Sequence, residues 1–151
     1  MPLALAACGF APAYGPKGSA QALQGHIWTD EPSDKLSFDF VAAIETRFGR
    51  TKDARYGLTY TITTESVGAG YTTSNAITRY NLKGRVDWTL SNLENGGRLT
   101  GGTAENFTSW SATSATVAGL SAEADAAERL MILLADQIAM QILAASPRFS
   151  P

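Results

Sequence analysis

Between residues 79 and 90 the chain alternates without a break. Tyr80, Leu82, Gly84, Val86, Trp88 and Leu90 fall on one side; Arg79, Asn81, Lys83, Arg85, Asp87 and Thr89 fall on the other. A period of two predicts a β-strand with one buried face, because successive side chains leave a strand on opposite sides. The same period runs through Tyr56, Leu58, Tyr60 and Ile62, interleaved with Gly57, Thr59, Thr61 and Thr63. The Gly/Ser/Thr-rich stretch 68–74 between these strands reads as a loop. Asn95-Gly96-Gly97 tolerates positive φ and predicts a hairpin turn into a returning strand over about 98–110. That strand alternates weakly, and its Gly101-Gly102 pair predicts a bulge or bend. A shorter first strand is expected over 23–29, ended by Asp30-Glu31-Pro32.

Two segments switch to helical spacing. Leu36, Phe40, Val41, Ile44 and Phe48 recur at three and four residues, with Ser33 or Ser37 as a cap and Gly49 as terminator. A longer helix is expected over 121–145, capped by Ser121, with Glu123 and Asp125 near the positive end of its dipole. Leu130, Leu134, Ile138 and Ile142 form its apolar stripe, widened by Ala127 and Met131. Its acidic residues, Glu123, Asp125, Glu128 and Asp136, outnumber Arg129, which argues for packing in a core over lying on an anionic membrane. The order is β-α-β-β-β-α. It predicts an α+β two-layer sandwich, with two helices packed on one face of a mixed sheet of about four strands.

Composition then removes function classes. The 151 residues fit one domain. Twelve basic against fourteen acidic residues give a net charge of −2, so no field draws nucleic acid. The chain has one cysteine and one histidine. An internal disulfide is impossible, as is a zinc site needing several Cys or His ligands. A hydrolytic triad would have to use His26, near which no nucleophile motif stands. The sequence implies no catalytic residue, no cofactor and no metal.

The sharpest chemistry lies at the start. Leu5-Ala6-Ala7-Cys8 resembles a bacterial lipobox: small residues let the signal peptidase reach the backbone, and the thiol takes a diacylglycerol. Two other readings compete: the start of a buried strand or helix with Cys8 as a small core residue, and a short membrane remnant. The second fails on length, since seven helical residues span only about 10 Å of a ~30 Å hydrocarbon core. Gly9, Pro12, Gly15, Pro16, Lys17 and Gly18 read as a tether. The expected organisation is a signal-peptide remnant over 1–7, lipidated Cys8 and tether over 8–22, a single domain over 23–146 and a tail over 147–151. The basic start of the signal would lie upstream of Met1. Several acyl chains on one cysteine make a stable anchor, and Gly9 after it resembles lipoproteins sent to the outer membrane.

With its L-A-A-C-G-F opening, its element order, the stretch Asn75-Ala-Ile-Thr-Arg-Tyr-Asn-Leu-Lys-Gly and a closing helix with Ala126, Ala127, Arg129 and Leu130, the chain resembles the LPS-assembly lipoprotein family, LptE. The resemblance covers nearly the whole chain. It implies a non-enzymatic lipoprotein on the periplasmic side of the outer membrane, which plugs the LptD-type β-barrel and contacts lipopolysaccharide. An auxiliary subunit of another outer-membrane or lipid transport machine is the alternative.

One departure bears on the ligand. The family's basic positions, in the loop after the second strand and before the last helix, fall here among 68–74 and 115–120, which hold no Lys or Arg. The nearest cations on one strand face are Arg79, Lys83 and Arg85, whose chemistry suits lipid A phosphates or a barrel wall. A solvated face with Asp87 as counter-charge competes with that reading.

Overall fold

The computed structural model describes residues 18–112 and 116–149. The chain runs α1 (Ser19–Leu23), β1 (Ile27–Thr29), α2 (Lys35–Phe48), β2 (Tyr56–Tyr71), β3 (Ile77–Asn92), β4 (Arg98–Ser111) and α3 (Thr116–Ala145), then a single 3-10 turn, Ser146–Arg148. The four strands form one open sheet in the order β1-β2-β3-β4. Strands β1 and β2 are parallel and joined through α2, and the other two pairings are antiparallel. The α+β sandwich expected from periodicity is the observed fold.

Leu58, Val86, Leu90 and Ala104 face the helices and are wholly buried, together with Phe40 and Ile44 of α2 and Leu130, Leu134, Ile138 and Ile142 of α3. The approach of α3 is close. A Cβ on Gly84 would lie 2.8 Å from Leu130 Cδ2 and 2.9 Å from Leu134 Cδ1, so the missing side chain is what lets the helix seat on β3. Buried polar groups on this side are paired. Trp88 Nε1 donates to Gln141 Oε1 at 3.0 Å, and Thr108 Oγ1 donates to the Ala126 carbonyl at 2.7 Å. By length and composition alone Val117–Arg148 could cross a membrane, but the apolar stripe of α3 is in the core.

Several boundaries differ from the expectations. Leu23 closes a short helix instead of opening a strand; Gly25 at φ 76 turns the chain, and three residues of β1 remain. Neither Ser33 nor Ser37 is the cap of α2. Asp34 is: its carboxylate accepts from the Ser37 backbone N–H at 2.8 Å, and Ser37 Oγ accepts from the Asp34 N–H at 2.9 Å. Most of the supposed loop 68–74 is strand, since β2 continues to Tyr71 through two register irregularities at Gly68 and Gly70. The turn itself is short, with Asn75 at φ 63. Helix α3 begins at Thr116, which places Ser121 inside it and moves Glu123 and Asp125 beyond the first turn.

The hairpin at Asn95-Gly96-Gly97 is present, with Gly96 at φ 70 and the Asn92 N–H donating to the Gly97 carbonyl at 2.8 Å. The irregularity in β4 lies at Leu99 and not at the glycine pair. Leu90 pairs with Thr100 but Ser91 with Arg98, so Leu99 is the extra residue. Gly101 and Gly102 pair regularly with Thr89 and Trp88.

Candidate functional site

Both helices cover the same side of the sheet, so the alternate residues of β2, β3 and β4 form an open face. Its outer row on β3 is Arg79, Asn81, Lys83, Arg85, Asp87 and Thr89. The pairing sets Thr61, Thr63 and Glu65 of β2 across from Asp87, Arg85 and Lys83. On β4, Thr103, Glu105 and Phe107 stand across from the same three.

The bulge at Leu99 builds this row. Paired strands must share facing, and a one-residue slip sends every side chain to the other side. Without the extra residue, Arg85 would stand across from Ala104, and Glu105 would point into the helices. With it, Ala104 is in the core and Glu105 meets the guanidinium.

Arg85 is held from three sides. Its Nε and Nη2 donate to the two oxygens of Asp87 at 3.0 and 2.8 Å, and its Nη1 donates to Glu105 Oε1 at 2.8 Å. Thr103 Oγ1 donates to Asp87 Oδ1 at 2.6 Å and closes the network. Donation from Arg85, with help from Thr103, holds the Asp87 carboxyl below the usual carboxylate range. The guanidinium itself is pushed up, chiefly by its hydrogen bonds to Asp87.

The other two cations differ. Lys83 and Arg79 are exposed, on the same face, and make no ion pair among the described residues. The structure therefore brings Arg79, Lys83 and Arg85 into one row but leaves only two of them uncompensated. Thr63, Glu65, Lys83, Arg85, Glu105 and Phe107 border a depression of about 440 Å³. A second, of about 600 Å³, continues along the face past Thr59, Thr61, Asp87 and Arg98.

Phe107, 59% exposed, and Glu105 carry no weight in the strand pattern alone. The weak alternation of β4 hides them, and only the bulge tells which side they take. His26 lies at the far end of the sheet, where its Nδ1 donates to the Asp53 carbonyl at 2.8 Å. Cys8 lies outside the described residues.

Comparison with known proteins adds to this geometry. The model of the lipopolysaccharide-assembly family LptE matches residues 20–142. The chain belongs to that family. Among solved structures, the LptE-family chain is similar to a Caulobacter crescentus CB15 protein assigned as a lipoprotein, with TM-score 0.74 and 18% identity over 85% of this chain and 96% of that one. It is also similar to rare lipoprotein B of Shewanella oneidensis, with TM-score 0.59 and 13% identity over 81% and 94%. A minor lipoprotein of Acinetobacter baumannii follows at TM-score 0.55 and 18% identity, over 79% and 89%. At such identities the likeness establishes a shared fold. No curated protein matches the chain in sequence.

Proposed function

We propose that this LptE-family chain is a non-catalytic lipoprotein of the outer membrane, anchored on its periplasmic side through acylated Cys8. In this reading it partners and plugs an LptD-type β-barrel and assists lipopolysaccharide transport and assembly. The family match over residues 20–142 carries the reading. The lipobox Leu5-Ala6-Ala7-Cys8 supports the anchor, and residues 1–7 would be removed with the signal. In this reading the tether ends before α1, whose last residue, Leu23, is wholly buried.

A partner has a suitable surface in the open sheet face, polar and charged along the outer row of β3. Arg79 and Lys83, uncompensated among the described residues, are the proposed points of contact for anionic groups of lipopolysaccharide or for the barrel wall. Arg85 acts beside them as the centre of an ordered network.

The test is affinity purification of the full chain from native membranes in mild detergent. A large β-barrel protein and lipopolysaccharide should co-purify with it. Recovery of a different transport complex without the barrel would replace this reading with that of an auxiliary subunit elsewhere. Mass spectrometry of the same sample should show a mature chain beginning at acylated Cys8. A chain retaining Ala7, or carrying a free thiol, would remove the anchor from the proposal.

A further inference from the structure

The depression beside Arg85 has a chemistry of its own. Its charged lining consists of two cations, Lys83 and Arg85, and two carboxylates, Glu65 and Glu105, with Asp87 adjoining. Arg85 is already matched by Asp87 and Glu105. A phosphate placed here would find one unpaired cation, Lys83, set against carboxylates on both neighbouring strands. Although most of the exposed lining is apolar, an acyl chain placed here would strip water from the charged groups set among it. The site is therefore poorly suited to the two chemically extreme parts of a glycolipid, its phosphates and its acyl chains.

It suits a third. Sugar rings present vicinal hydroxyls, each both donor and acceptor, around a ring whose C–H face is apolar. Glu105 uses only Oε1 on Arg85, which leaves Oε2 to accept from a hydroxyl. Glu65 can accept as well, while the Lys83 ammonium and the Thr63 hydroxyl can donate. Phe107, exposed at the margin, offers an aromatic face for the C–H side of the ring. The ion-pair network holds Glu105 in place before a ligand arrives, which lowers the cost of ordering it. A volume of about 440 Å³ lies within the range of small-ligand sites, roughly 300–1,000 Å³.

We infer that this depression binds an uncharged sugar ring of the lipopolysaccharide saccharide, stacked on Phe107 and hydrogen-bonded by Glu105, Glu65 and Lys83. The inference rests on the lipopolysaccharide reading above and adds which part of the molecule meets which residues. With Lys83 engaged by the sugar hydroxyls, the anionic contact proposed above narrows to Arg79, further along the same row.

The experiment uses the full chain in mild detergent and three probes: intact lipopolysaccharide, lipid A, and the dephosphorylated oligosaccharide freed from lipid A. Calorimetry should show the oligosaccharide binding with little change between low and high salt, because the contacts are not ionic. Phe107→Ala and Glu105→Gln should each weaken that binding about tenfold, or ~1.4 kcal/mol. Phe38→Ala, at an exposed position of α2, should leave it unchanged. The inference is overturned if intact lipopolysaccharide binds but the oligosaccharide does not, or if neither site variant changes oligosaccharide binding. Loss of barrel co-purification in both variants, with oligosaccharide binding intact, would assign the depression to the barrel and likewise overturn it. If no probe binds, the lipopolysaccharide reading itself fails, a result distinct from the others.

Discussion

The two faces of β3 are made from alternate residues of one strand, yet they obey different rules. Toward the helices, Leu82, Val86, Trp88 and Leu90 are at most 7% exposed, and Gly84 exists to let α3 approach. Away from the helices, Lys83, Arg85 and Asp87 lie in solvent, and the order there comes from charge pairing. The covered face resists change because close packing leaves no room to relax. The open face resists little, since exposed ion pairs contribute weakly and are screened. Stability should therefore reside on one side of the strand and recognition on the other.

The largest effects should come from emptying the covered face. Leu134 and Ile138 are wholly buried at the centre of α3. Truncation of either to Ala should cost roughly 2–5 kcal/mol, combining lost transfer energy with a cavity. Urea denaturation checks this through a fall in the midpoint at constant m-value. Losses below about 0.5 kcal/mol at both sites would mean that α3 belongs to a partner and not to the core.

A smaller but more pointed test concerns the polar exception inside the core. Trp88 is 4% exposed, and its N–H donates to Gln141. Replacing Gln141 with Leu keeps the bulk and removes the acceptor, leaving a buried donor unmatched. The expected cost is about 1–3 kcal/mol, read by thermal or urea unfolding. No loss would show that the Trp88 N–H finds another partner, and that this end of the covered face is looser than its burial implies.

How much of this was legible in sequence follows the same division. The covered face announced itself, because burial imposes a period: Tyr80 to Leu90 and Leu130 to Ile142 led to the fold class, the strand faces and the core of α3. Boundaries were less legible. Asp34 outcompeted Ser33 and Ser37 as a cap because its carboxylate reaches the Ser37 N–H while Ser37 answers in return. Gly68 and Gly70 read as loop residues, but pairing with β3 keeps them in strand. The open face was half legible. Alternation put Arg79, Lys83 and Arg85 in one row. It could not show that Arg85 is already matched, since Glu105 reaches it only through the bulge at Leu99. A bulge has no local signature in Arg98-Leu99-Thr100; it depends on what the neighbouring strand offers.

The smallest expected effect tests whether the open face contributes to stability at all. Asp87 accepts two bonds from Arg85 and one from Thr103, and its carboxyl is held below its ordinary value, first by Arg85. A carboxyl with a depressed folded-state pKa stabilises the fold above its unfolded pKa and loses that contribution as pH falls through the folded value. Asp87→Asn removes the charge at every pH. The variant should therefore melt slightly below the parent near neutrality, by on the order of 1–2 °C for a chain of this size. The gap should begin to close as pH drops below the ordinary carboxylate value of about 4, and vanish below the depressed folded-state value, where the parent's Asp87 also becomes neutral. Added salt should narrow it at neutral pH, because the pairs face solvent. Thermal scans of both chains from neutral pH down to well below the ordinary carboxylate value of about 4, at low and high salt, measure all three. A gap that persists unchanged into acid would show that Asp87 acts through packing instead of charge. The open face would then share the logic of the covered one.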